Sequence, residues 1–183
     1  MHLPTHLAIS WLIGQGLPER RDRRLVAWAG VVPDLDARSL LAGAGAFSRF
    51  HHSVTHGIVA AVIVTVVGPV MARDRLRVGG LALLAFHVHL LGDLLGSGVG
   101  WSIAYLWPFS GMEWVTPYGW PLASGQNMLI TVVALFCMGW IGVTRGRTVA
   151  ETFLPVRADR AVGETLRRRF RSWRGDSAQR RTR

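Results

Sequence analysis

Apolar runs punctuated by arginine clusters constrain this chain more than any other feature. Gly57 to Ala72, Val78 to Leu95 and Gln126 to Thr144 run for 16, 18 and 19 residues, with Asp93 as their one acidic residue and no arginine. As helices at about 1.5 Å per residue they would reach roughly 24 to 29 Å, close to the hydrocarbon thickness of a bilayer. The first contains VIVTVV, which in water would suggest a buried strand. In a bilayer every backbone polar group must be satisfied within its own segment, so helix is expected there too. Two shorter stretches, His6 to Leu17 and Leu25 to Val32, read together as a helical hairpin that dips into or partly crosses the bilayer. Half of the 183 residues are hydrophobic and 17% are charged, which excludes an ordinary soluble domain.

The basic residues are all arginine, 21 of them. They gather at Arg20, Arg21, Arg23 and Arg24, at Arg73, Arg75 and Arg77, and from Arg145 onward, where twelve fall in 39 residues. If basic loops stay in the cytoplasm, the spans between these clusters let all three lie on that side, and Arg38 and Arg49 are left outside. The expected fold is all-α: a polytopic membrane bundle with a short N-terminal hairpin, three longer transmembrane helices and an amphipathic C-terminal helix. Residues 1 to 144 form the membrane domain, and residues 145 to 183 a cytoplasmic arginine-rich tail of net charge +8. The N-terminus lacks a basic region and a small-residue cleavage site, so no cleavable signal is read there. Cys137 reads as a small apolar residue within a span.

That topology carries His6, Asp34, Asp36, His51, His56, His89 and Asp93 to one membrane face, away from every arginine cluster. Since arginines alone fix the orientation, this convergence is an independent result. His89 and Asp93, four apart, share one helix face. Asp34 and Asp36 follow Pro33 and would point the same way in an extended segment. Imidazole plus carboxylate suits zinc or a similar divalent ion, and the donor number would fit two or three ions with positions left for water and substrate. His87 faces away from His89 and reads as structural, while His2 and His52 are equally well interfacial. Asp93, ionisable at membrane depth, is a functional candidate by default.

The ordered blocks "TH" (Thr5, His6), "PDLD" (Pro33 to Asp36), "HHSVTHG" (His51 to Gly57) and "HLLGDLL…LWPFS" (His89 to Ser110) resemble the bacterial inner-membrane, metal-dependent hydrolases associated with LexA regulation. The resemblance covers residues 1 to 127. It implies that His6, Asp34, Asp36, His51, His56, His89 and Asp93 are metal ligands, with distant similarity to zinc phospholipase C and single-strand-specific nucleases. The sequence has His52 where the family has arginine and Gly57 where it has serine, and His51 keeps the ligand position.

Such a site implies one to three divalent ions, zinc or alternatively manganese. The expected activity is hydrolysis of a phosphoester of a lipid or lipid-linked substrate, with Asp36 or Asp93 as general base and His52 and Trp107 toward substrate. Localisation follows as multi-pass in the inner membrane, with the site extracytoplasmic and the C-terminus cytoplasmic. Thr55 and Ser53 read as capping or supporting hydrogen-bonders. Between residues 97 and 125, Trp101, Trp107, Trp114, Trp120, Tyr105 and Tyr118 read first as an interfacial aromatic belt and second as a lining for acyl chains. In the tail, Val162, Leu166, Phe170 and Trp173 recur at helical spacing among arginines, which suits a helix on anionic lipid headgroups. No base-stacking or groove-reading motif accompanies that charge, which argues against nucleic acid. The alternative from a different class is a metal-ion or proton-coupled transporter or sensor that uses the same His/Asp set as a relay.

Overall fold

The computed structural model describes residues 1–45 and 54–170. Its architecture is helical, with one isolated bridge between Ile103 and Trp114. The N-terminal hairpin forms as expected. Helix α1 (Leu3–Ile13) opens with a proline in its first turn, where a missing N–H costs nothing, and a 3₁₀ turn at Gly14–Gly16 ends it. Helix α2 (Arg20–Ala29) follows Pro18 and Glu19, so the first arginine cluster is built into the helix rather than left in a loop.

Helix α3 (Ile58–Val70) corrects the sequence reading. It has 13 residues, about 20 Å of rise, so two helices, not three, are long and apolar enough to cross a membrane among the described residues. The VIVTVV run is helical, but its turns widen to a π-helix over Ile63–Val67. Pro69 lacks the N–H that would bond back to Thr65, and the crowded β-branched run relaxes into the wider turn.

The two long helices match their sequence segments closely. Helix α4 (Arg75–Gly96) is capped by Asp74, whose side chain accepts from the Arg77 amide. Helix α5 (Gly125–Arg145) is capped by Ser124, which accepts from the Asn127 amide, and Gly146 ends it at φ 65°. Helix α6 (Val156–Arg169) follows Pro155. Its Gly163 and Leu166 lie against the end of α5, where a Cβ on Gly142 would come within 3.2 Å of Leu166 Cδ1. Trp173 of the proposed tail stripe lies outside the described residues.

Helix α4 is the centre of the bundle. It packs on α1, α2 and α3, and α1 in turn packs on α2 and α5. Small residues permit this closeness: Ala29, Ala60, Ala61 and Ala82 surround Phe86 in one cluster, and Ala85 and Val78 meet Leu17 and Val26 in another. The outward faces stay apolar. Val62, Val66 and Val67 of α3, and Leu129, Val132, Val133 and Phe136 of α5, are exposed, which suits lipid and not water.

Among the described residues, the first two arginine clusters and the start of the third meet at one end, held by specific contacts. Asp22 accepts from the Arg73 and Asp74 amides at 3.0 and 3.1 Å. Arg147 donates to the Gln15 carbonyl at 3.1 Å, and burial together with the charge of Arg23 lowers its pKa from the usual arginine value. Arg23 and Glu151 form a buried bidentate pair at 2.8 and 2.6 Å, to which Trp11 Nε1 adds a third donor at 2.8 Å. The residues just after α5 are thereby tied to the α1–α2 turn.

Candidate metal centre

The opposite end of the bundle gathers the acidic and imidazole side chains. Helix α1 contributes His6, the 3₁₀ segment Val32–Ala42 contributes Asp34 and Asp36, the turn before α3 contributes His56, and α4 contributes His89 and Asp93. Asp93 is the hub. Its Oδ1 accepts from His6 Nε2 at 3.0 Å, from Ser97 Oγ at 3.3 Å and from the Met1 terminal ammonium. Its Oδ2 lies 3.3 Å from His56 Nε2 and 3.0 Å from His89 Nε2.

His89 shows most clearly what the cluster can hold. Its Nδ1 donates to the Gly30 carbonyl at 2.8 Å, and because a carbonyl can only accept, the proton of a neutral ring is fixed on Nδ1. Nε2 then carries a lone pair. It faces Asp93 Oδ2 at 3.0 Å and Asp34 Oδ1 at 3.8 Å, and it is buried without a hydrogen bond. Asp34 Oδ2 is likewise buried and without a hydrogen-bond partner. Lone pairs converging out of water are costly unless a cation lies among them. One donor atom each from Asp34, His56, His89 and Asp93 fits within 4.8 Å, and this N/O set suits zinc or manganese.

The remaining residues orient these four. Asp36 Oδ2 accepts from His56 Nδ1 at 2.9 Å, which turns Nε2 toward Asp93. Burial disfavours the charged form of His56, but its hydrogen bonds to Asp36 and Asp93 outweigh that and raise its pKa to about 9. The His6 ring stacks on His89 with centroids 3.7 Å apart, and His56 stands edge-on to His89 at 5.4 Å. Gly92 makes the stacking possible, since a Cβ there would lie 3.2 Å from His6 Cε1. Thr55 Oγ1 donates to the Pro33 carbonyl and so pins the His56 turn beside Asp34.

Asp34 and Asp36 do not point the same way. With Pro33 in the first turn, the segment is a 3₁₀ helix rather than an extended strand, so residues two apart face about 240° from one another. Asp34 accordingly faces His89 and Asp36 faces His56. His51, His52 and Ser53 lie outside the described residues. Trp107 sits 40% exposed in the loop after α4, and it is not among the groups that meet at Asp93. In the same loop Tyr105 hydrogen-bonds His87 Nε2 at 2.9 Å, and Trp120 Nε1 donates to Asn127 Oδ1 at 3.0 Å. Reasoning from side chains alone overlooked the Gly30 carbonyl, Ser97 and the Met1 ammonium. A backbone acceptor leaves no motif, and Ser97 is legible only afterwards, one turn beyond Asp93.

The model of a family described as YdjM inner membrane protein matches residues 1–158. Inner membrane protein YbcI of Escherichia coli (strain K12) is 26% identical over 163 residues, covering 75% of this chain and 94% of that protein. No solved structure matches.

Proposed function

The chain belongs to the YdjM inner membrane protein family, and from that premise and the buried cluster we propose that it is a membrane-embedded, metal-dependent hydrolase of a phosphoester carried by a lipid or lipid-linked molecule. The observation that carries the reading is the geometry at His89, whose Nδ1 is held by the Gly30 carbonyl and whose Nε2 lies 3.0 and 3.8 Å from two carboxylate oxygens in a buried pocket. Asp34, His56, His89 and Asp93 would hold the ion, with His6 packed against them. A divalent ion so held would acidify water to near neutrality and stabilise charge building on phosphoryl oxygens. Gly30 fixes the His89 tautomer and Asp36 turns His56. Asp34 is the carboxylate with an oxygen free of hydrogen bonds, so it, rather than Asp36 or Asp93, is positioned to take the proton from attacking water. Arginines gathered at the far end favour that end in the cytoplasm, which would set the site toward the outer leaflet.

A transporter using the same residues would need polar groups continuing down the bundle. Below His89 the buried face of α4 is Phe86, Ala85, Ala82, Gly79 and Val78, with no ionisable group. Metal analysis of the purified full chain tests the hydrolase reading. We expect bound zinc or manganese in the wild type, its loss in His89→Ala and Asp93→Asn, and phosphate or headgroup release from phospholipid micelles by the wild type alone. Metal-free wild type, or variants with unchanged content, would refute the reading; ion flux without hydrolysis would favour the transporter.

A further inference from the structure

Beside the cluster, a groove of about 490 Å³ opens along the outside of α1 and α2. Leu3 and Leu7 of α1, Trp28 of α2 and Leu40 of the 3₁₀ segment line it, and two polar residues join them: Asp34, from the cluster, and Arg38. The volume is that of a site for a small organic ligand rather than for water or a lone ion. Arg38 is the one cation in the groove's lining, which Phe153 completes against Trp28. It is exposed, so its guanidinium is available to a ligand, while the neighbouring Leu41 is 92% exposed and extends the apolar rim.

We propose that this groove is the substrate's binding site: one acyl chain of a phosphate-bearing glycerolipid lies along Leu3, Leu7 and Trp28, and Arg38 pairs with its phosphate beside Asp34. The inference rests on the hydrolase reading and deepens it by naming the substrate class and the residue that selects it. The occupant follows from the lining. An apolar trough on the lipid-facing side of an inner membrane protein takes a hydrocarbon chain, and a single guanidinium at its polar end makes charge-assisted, two-pronged hydrogen bonds to phosphate. Asp34 belongs both to the groove's lining and to the His/Asp cluster, so a phosphate held by Arg38 sits at the edge of the proposed metal centre. The aromatic loop containing Trp107 is then an interfacial belt and not the substrate's route.

Lipid binding without turnover is the test, read by native mass spectrometry on the full chain in detergent after chelator treatment. The probes are dioleoyl phosphatidic acid, dioleoylglycerol with the same chains and no phosphate, and glycerol 3-phosphate with no chain. The wild type should prefer phosphatidic acid over dioleoylglycerol by about tenfold and should not retain glycerol 3-phosphate. Arg38→Gln should erase that preference while leaving dioleoylglycerol binding unchanged. Leu7→Trp, which fills the groove, should weaken both lipids, and Leu40→Trp on the exposed rim serves the same purpose if Leu7→Trp does not fold. Absence of preference in the wild type, a preference that survives Arg38→Gln, or lipid binding indifferent to the tryptophan variants would overturn the proposal. Because the measurement is made without metal, a failed groove and a failed metal centre are told apart: either can be lost while the other stands.

Discussion

Gly30 sits where two helices and the site meet, and Gly30→Ala isolates what that contact does. Its backbone, φ −83° and ψ 2°, is open to any residue, so the change tests packing alone. An added Cβ would lie 1.8 Å from Ser10 Oγ and 2.6 Å from Ser10 Cβ. Rotating the serine cannot relieve the second clash, so α1 and the end of α2 must separate by about an ångström or more to restore van der Waals contact. Overpacking of this kind costs about 1–3 kcal/mol, which for a chain of this length lowers Tm by roughly 2–12 °C. The same displacement pulls the Gly30 carbonyl from His89 Nδ1, now 2.8 Å away, and releases the ring that faces Asp34 and Asp93. Lost orientation of a ligand weakens metal affinity by about 10–100-fold. Thermal unfolding and zinc titration of purified protein read both effects. Ser10→Gly in the same chain removes both clashing atoms and leaves Ala85 O at 3.3 Å, so the double variant should regain most of the lost Tm and metal affinity. A Gly30→Ala protein with unchanged Tm, or a loss that Ser10→Gly does not reverse, would refute this steric account.

The metal-free protein should lose stability as pH rises. His56 has its pKa raised to about 9 against about 6.5 unfolded, so its contribution is complete below pH 6.5 and gone above 9. Chelator-treated protein should therefore melt lower at pH 9.5 than at pH 6.5, and His56→Gln should flatten that difference. Removing one partner of the buried Arg23–Glu151 pair strands the other charge: Glu151→Ala should cost about 3–5 kcal/mol in chemical unfolding, while Arg23→Met with Glu151→Leu should recover most of it. Asn127 donates to the Gly96 and Leu122 carbonyls at 2.8 Å each and accepts from Trp120. Asn127→Ala should cost about 2–3 kcal/mol and raise protease sensitivity in the loop that Trp120 anchors.

Helices α4 and α5 were legible because each carries a long, mostly apolar run between a capping residue and a glycine or arginine stop. The pairing of His89 with Asp93 was legible for the same reason, since spacing of four fixes a shared face once helix is assured. Helix α3 was misjudged in length: hydropathy counts Met71 and Ala72 as span, but the backbone answers to Pro69, which hydropathy does not weigh. The divergence of Asp34 and Asp36 escaped notice because Pro33 is compatible with both an extended segment and the first turn of a 3₁₀ helix, and tertiary context decided between them. The joining of the arginine clusters at one end followed from charge placement alone. That Arg23 would be buried did not, because its partner Glu151 lies in the stretch read as a cytoplasmic arginine-rich tail.

The Arg23–Glu151 pair also sets an order of assembly. The α1–α2 hairpin is made first, yet Arg23 and the Trp11 indole must wait for Glu151, 128 and 140 positions further along, before both are satisfied. A nascent chain that has already placed α3, α4 and α5 still carries at the base of its first hairpin a cation bonded only to the Leu17 and Pro18 carbonyls, with no counter-charge from Glu151. Completion therefore coincides with synthesis of the segment after α5, and a chain truncated at residue 144 would hold all the described ligands of the cluster yet lack the contact that closes the opposite end.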